Sequence, residues 1–168
     1  LRVTLESDAP AGSGLGGSSA MAATLYKALC QHHQQKLDRE LAIRIVNGIE
    51  GRILNAGPAG YQDYYPALYG GVLALIPEPG HIKVEQLYTE ELAKLFDNNI
   101  SLIYSGETRH SGINNWEVYK AFFDGNQATR HGLAVIAELS HKAYLCLVNQ
   151  EYDQLFELIK KEGEERVK

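Results

Sequence analysis

An α+β protein is what the sequence predicts, on three observations. Leu1–Leu5 alternates apolar and polar residues as a half-buried strand does. Val72–Ile76 and Ile82–Leu87 flank the turn-forming string Pro-Glu-Pro-Gly, as the arms of a β-hairpin do. The stretches between and after these segments repeat their apolar residues at the helical period.

Taken in order, the first helix is expected over Ser18–His33, where Met21, Ala22, Leu25, Tyr26, Leu29 and Cys30 fill one arc opposite Thr24, Lys27 and Gln31. Asp38 reads as the N-cap of a second helix, Arg39 to about Leu54. Asn55–Gly71 is rich in Gly and Pro and reads as a loop with a short helical turn inside. After the hairpin come a short helix, Glu90–Phe96, and a buried strand, Ile100–Tyr104. From Asn114 onward the pattern is helical, with breaks near Gly125 and Asn149. The polar Asp97–Asn99 marks a domain boundary, giving 1–98 as a mixed α/β half and 99–168 as one strand leading into helices.

The bulk properties narrow the function classes. A chain of 168 residues can bury a real core, and 45% hydrophobic with 22% charged residues is the composition of a soluble globular protein. The net charge of -5 gives no sequence-independent grip on nucleic acid or an anionic membrane, so neither is expected as a partner. No apolar run reaches spanning length and no signal peptide opens the chain. Cys30 and Cys146 lie far apart on apolar helical patterns, as reduced, buried thiols of a cytoplasmic protein would. His32, His33, His110, His131 and His141 show no metal-ligand spacing.

The chemically informative segment is Pro10-Ala-Gly-Ser-Gly-Leu-Gly-Gly-Ser-Ser-Ala20. A helix N-terminus has unsatisfied N–H groups and the positive end of the helix dipole, and so favours an anion. Glycines ahead of it let the backbone approach phosphate oxygens. Ser18 and Ser19 add hydroxyls able to reach a phosphate or its Mg2+. Gly12, Gly14 and Gly17 satisfy the spacing of a dinucleotide-binding fingerprint, but Glu6–Pro10 interrupts the strand that such a unit needs, and the segment after the helix is helical. A Rossmann unit is thereby excluded.

Two carboxylates stand out. With Ala42 at 0° on the second helix, Ile45, Val46, Ile49 and Ile53 share its arc, and Glu50 falls at about 80°, between Val46 and Ile43. A carboxylate there needs compensation, either an internal polar partner or a bound cation such as Mg2+. Asp63, in Gly60-Tyr-Gln-Asp-Tyr-Tyr-Pro-Ala-Leu-Tyr-Gly-Gly71, reads on its own as a turn former.

The string from Pro10 to Ala20, followed by an Ala-rich helix, resembles the second motif of the GHMP kinases (galactokinase, homoserine kinase, mevalonate kinase, phosphomevalonate kinase). The Gly-x-x-Asp segment leading to Tyr-Gly-Gly is similar to the family segment that carries the general base. The resemblance extends over nearly the whole chain, although the motif carries most of its weight. It implies a ribosomal protein S5 domain 2-like first half and part of a ferredoxin-like second half. It also implies ATP and Mg2+ as cofactors, with Pro10, Gly12, Ser13, Gly14, Leu15, Gly16, Gly17, Ser18 and Ser19 around the phosphates. Ser18 and Glu50 are the implied metal ligands, and Asp63 the implied base of phosphoryl transfer.

Within the family, Gly60–Asp63 and the string Ile103-Tyr-Ser-Gly-Glu-Thr-Arg-His-Ser111 look most like the heptose 7-phosphate kinase branch. A sugar or sugar-phosphate acceptor is therefore expected, touched by Tyr61 and Gln62. Arg109 is either a contact for the acceptor's phosphate or an exposed loop arginine. Tyr61, Tyr64, Tyr65 and Tyr69 offer rings for stacking on a sugar or for packing. The family's first and third motifs are expected before Leu1 and after Lys168, so the chain is expected to be the middle of a longer kinase and poorly active alone. A non-catalytic nucleotide-binding module and the diphosphomevalonate decarboxylase branch are the competing readings. The joint presence of Ser18, Glu50 and Asp63 disfavours the first, and the Gln62-Asp63 context disfavours the second.

Overall fold

The computed structural model describes residues 1–54, 60–107 and 112–167. They form helices and one two-stranded antiparallel sheet, an α+β arrangement. The chain divides into two compact units, Leu1–Ile113 and Asn114–Lys168.

In the first unit, α1 (Gly17–His32) follows the glycine-rich loop, and α2 (Arg39–Leu54) starts where its cap predicts. The Asp38 carboxylate accepts a hydrogen bond from the Leu41 amide at 3.0 Å, satisfying one of the amides that a helix start leaves open. Helix α3 (Tyr64–Tyr69) is the short turn expected inside the Gly-rich stretch, part of which (55–59) lies outside the described residues. The hairpin forms as expected, with β1 (Leu73–Glu78) paired to β2 (His81–Gln86) in the register Leu75 to Val84. Pro79 presets the first turn position, and Gly80, at φ 83°, takes the second, where a side chain would be strained. Helix α4 (Glu90–Asn99) is capped by the Thr89 hydroxyl, which accepts from the Leu92 amide at 3.0 Å.

The core of this unit is Ile43 and Val46 of α2 with Tyr64 and Tyr65 of α3. Leu73 and Leu75 of β1 and Ile82 and Val84 of β2 pack against it from one face of the hairpin. Gln86, on that same face, ties the hairpin to the end of α3. Its side-chain oxygen accepts from the Val72 amide at 3.0 Å and its amide group donates to the Gly70 carbonyl at 3.0 Å.

Three expectations need correction. Leu1–Leu5 forms no strand: it is exposed throughout, and no described segment runs beside it to complete a hydrogen-bonded ladder. Ile100–Tyr104 likewise is neither a strand nor buried, and Leu102 and Ile103 are among the most exposed apolar residues. Alternation marks what a strand would bury, but the ladder itself needs a partner. On α2, the buried side is Ala42, Ile43 and Val46, whereas Ile49 and Ile53 of the expected arc are 51% and 75% exposed. The packed face is rotated toward Glu50, because α3 approaches α2 from that side and gives its tyrosine hydroxyls to carboxylates there.

The second unit is helical, as expected: α5 (Gly112–Phe123), which starts two residues before the unit, α6 (Gln127–Asn149) and α7 (Leu155–Arg166), with a 3-10 turn at Tyr152–Gln154. Gly125, at φ 86°, and Gln150, in the left-handed region, mark the two breaks. Tyr152 and Leu155 are buried where α6 meets α7, and both ends of α6 are built locally, with the Asn126 side chain accepting from the Thr129 amide at 3.0 Å. Both cysteines are free thiols, Cys30 buried as expected and Cys146 only half-buried. No described helix is long and apolar enough to cross a membrane.

Candidate active site

The glycine-rich loop is shaped by three left-handed residues at alternate positions, Gly12 (φ 73°), Gly14 (φ 76°) and Gly16 (φ 69°). A side chain is strained at such angles, so glycine is what allows the chain to turn repeatedly over so short a distance. Inside the loop the Ser13 amide donates to the Pro10 carbonyl at 3.1 Å. Left-handed residues alternating along a backbone turn successive amides toward one concave side, the arrangement that binds anions. Gly16 is the N-cap of α1, and no side chain caps that helix start. The first intrahelical bond comes from the Ala20 amide to the Gly16 carbonyl, at 3.0 Å. The amides of Gly17, Ser18 and Ser19 precede that bond, at the positive end of the helix dipole. A Cβ built on Gly17 would meet nothing within 4 Å, so there is free space beside that residue.

Helix α2 supplies the first carboxylate. Ser18 Oγ donates to Glu50 Oε1 at 2.8 Å, across 32 residues of sequence. The other carboxylate oxygen, Oε2, accepts from the Tyr64 hydroxyl. Tyr64 is fully buried, and Ser19, 5% exposed, lies beside its hydroxyl. Burial, reinforced by the bond to Glu50, pushes the Tyr64 phenol well above its usual range, so it is a donor at any physiological pH. The compensation that Glu50 needs within the chain is thus two hydroxyls, one from each neighbouring helix.

Asp63 stands at the start of α3, against the loop. A Cβ added to Gly16 would lie 3.0 Å from Asp63 Cβ and Cγ and 3.3 Å from its Oδ1, so the missing side chain of Gly16 is what makes room for Asp63. Asp63 is exposed, and its side chain caps no helix. Three segments far apart in sequence, the loop with its two serines, Glu50 and Asp63, therefore meet at the N-terminus of α1.

The remaining expected residues are scattered around this centre. Tyr61 is exposed, and its carbonyl accepts from the Tyr64 amide at 3.1 Å. Gln62 is exposed, with its side-chain amide folded over Gly60, and Leu15 projects into solvent. Arg109 lies outside the described residues, as do His110 and Ser111. Of the tyrosines, Tyr64 and Tyr65 are core residues and not free rings.

Two residues escape a reading by period. Glu40 receives both the Tyr65 hydroxyl, at 3.1 Å, and the Tyr69 hydroxyl, at 2.9 Å, while the Arg39 guanidinium lies 4.8 Å from the centre of the Tyr69 ring. Asn47 donates to the Gly60 carbonyl at 3.3 Å and so ties the loop before Asp63 to α2. Glu40, Glu50 and Asn47 together hold the Tyr61–Tyr69 segment against α2. Burial first, and the Glu40 charge second, push the Tyr65 phenol from its usual 10 up to about 12. Since the folded value is the higher one, the associated stability is complete below pH 10 and is lost as pH rises from 10 through about 12. Tyr65→Phe should flatten that alkaline decline in a plot of melting temperature against pH, and an unchanged slope would mean that other groups govern it.

Among the described residues no three His, Cys, Asp or Glu side chains gather as a protein-built metal cage. Mg2+ in phosphate sites needs none, because it keeps waters and phosphate oxygens and takes one or two protein ligands. Neighbouring ligands of an octahedral Mg2+, each at about 2.1 Å, stand about 3 Å apart. The 2.8 Å between Ser18 Oγ and Glu50 Oε1 fits that edge, and both are hard oxygen donors.

No solved structure matches this chain. Residues 1–71, which hold the loop, α1, α2 and α3 and stop before the hairpin, match the family model described as GHMP kinases N terminal domain.

Proposed function

We propose that this chain carries the ATP site of a small-molecule kinase that transfers the γ-phosphoryl group to a hydroxyl of a sugar or sugar phosphate. The observation that carries the reading is the meeting of Ser18, Glu50 and Asp63 at the start of α1, which no side chain caps. The loop amides and the helix dipole hold the β- and γ-phosphates. A Mg2+ held by Ser18 and Glu50 would neutralise charge on the phosphate oxygens. Asp63 orients the acceptor hydroxyl and takes its proton as the new O–P bond forms and the bond from the γ-phosphorus to ADP breaks. Most of the acceleration comes from positioning.

The finer assignments belong to the same reading. The first acceptor to test is a heptose 7-phosphate, with Tyr61, Gln62 and Arg109 toward the acceptor. The halves 1–98 and 99–168 are assigned to the S5-like and ferredoxin-like parts of such a kinase. A non-catalytic nucleotide-binding module would have no use for an acidic side chain at Asp63, exposed beside the loop.

ADP release by the intact protein, measured with heptose 7-phosphates, neutral hexoses, mevalonate and homoserine, tests this directly. Turnover is expected only with a hydroxyl acceptor present, and fastest with the sugar phosphate. Turnover confined to neutral hexoses would remove the phosphate-binding role from Arg109, and the same rate with no acceptor at all would refute the kinase reading.

A further inference from the structure

Both oxygens of Glu50 accept a hydroxyl, but only one of the two donors, Ser18, is exposed and able to give way to a metal. Glu50 Oε2 is taken by the hydroxyl of Tyr64, a residue with no exposed surface, whereas Oε1 faces Ser18 at the mouth of the helix. The phenol cannot swing away easily, because its ring is packed against Ile43 and Val46 and the buried Ser19 lies beside its oxygen. A carboxylate pinned in this way binds a cation through one oxygen. Mg2+ is served by single-oxygen contacts in a small octahedron, whereas Ca2+ takes more ligands at longer distance and often uses a carboxylate through both oxygens.

We propose that Tyr64 is a positioning residue that makes Glu50 a one-oxygen ligand and thereby biases the nucleotide site toward Mg2+ and against Ca2+. This rests on the assignment of Glu50 to the metal. The neighbouring tyrosine provides an internal contrast: Tyr65 is buried in the same core, but its hydroxyl goes to Glu40, away from the loop. The two phenols, adjacent in sequence, thus differ in the one respect that matters here.

The test is calorimetric binding of the β,γ-imido analogue of ATP to the intact protein, in Mg2+ and separately in Ca2+. Tyr64→Phe keeps the ring and frees Oε2. It is expected to weaken binding in Mg2+ about 10-fold, the usual cost of losing a partner that orients a metal ligand, and to weaken it much less in Ca2+. The preference for Mg2+ should therefore shrink, while Tyr65→Phe leaves it as in the wild type. Ser19→Ala, which loosens the phenol without opening the core, should shift the preference the same way by a smaller factor and serves if Tyr64→Phe folds poorly. An unchanged preference in both variants, with Glu50→Gln losing it, would overturn the role of Tyr64 while leaving the metal at Glu50. Wild-type binding by Glu50→Gln in both cations would overturn the metal assignment and the proposal with it.

Discussion

Asp63→Asn should lower turnover by about 10²–10⁴ while leaving nucleotide affinity close to that of the wild type. The asymmetry follows from where the residue stands. Asp63 touches the loop through Gly16 but donates nothing to it, and its carboxylate is exposed and bonded to no helix start. Asn occupies the same volume, so the packing against Gly16 survives and the phosphates are held as before. What is lost is the ability to accept the acceptor's proton. Steady-state kinetics with the best acceptor, alongside equilibrium binding of the nucleotide, separates the two quantities. A variant that retains most of its turnover would show that Asp63 only shapes the loop.

Gly16→Ala should act the opposite way and damage both binding and turnover. At φ 69° an alanine costs about 1–2 kcal/mol in the left-handed region. Its methyl group would also press on Asp63 at 3.0 Å, closer than packed carbons tolerate. Either the loop or Asp63 must move, and the loop supplies the concave amides while Asp63 supplies the base. Nucleotide affinity is expected to fall about 10-fold or more, since a tenfold change needs only about 1.4 kcal/mol. Gly48→Ala is the matched control. Gly48 lies inside α2 with nothing within 4 Å of an added Cβ, so there alanine should raise stability by about 0.5–1 kcal/mol with no effect on the nucleotide. Equal effects of the two substitutions would mean that the loop geometry is not what binds.

Local chemistry made much of this fold readable. Asp38 announces α2 because a carboxylate that accepts from the third amide onward is a local signal, and Pro79-Gly80 announces the hairpin because its backbone angles are set by those two residues. Glu50 was conspicuous for a similar reason, as a charge on an apolar side that something must answer. The answer itself was not readable. Ser18 and Tyr64 lie 32 and 14 residues away, and no period connects a hydroxyl to a distant carboxylate. The same holds for Glu40 with Tyr65 and Tyr69, and for Gln86 clamping Gly70 and Val72. The buried face of α2 is not legible in its sequence because aliphatic residues line two sides of it, and only the approach of α3 decides which is buried. Leu1–Leu5 and Ile100–Tyr104 have the alternation of strands, but a strand is a property of a pair.

The division of labour between loop and base is tested most directly by one set of titrations. Binding of the β,γ-imido analogue of ATP with Mg2+ is measured for the wild type, Asp63→Asn and Gly16→Ala under the same conditions. The expected result is that the wild type and Asp63→Asn bind alike while Gly16→Ala binds about 10-fold or more weakly. Equal affinity in all three proteins would contradict the assignment of residues 10–19 to the phosphates.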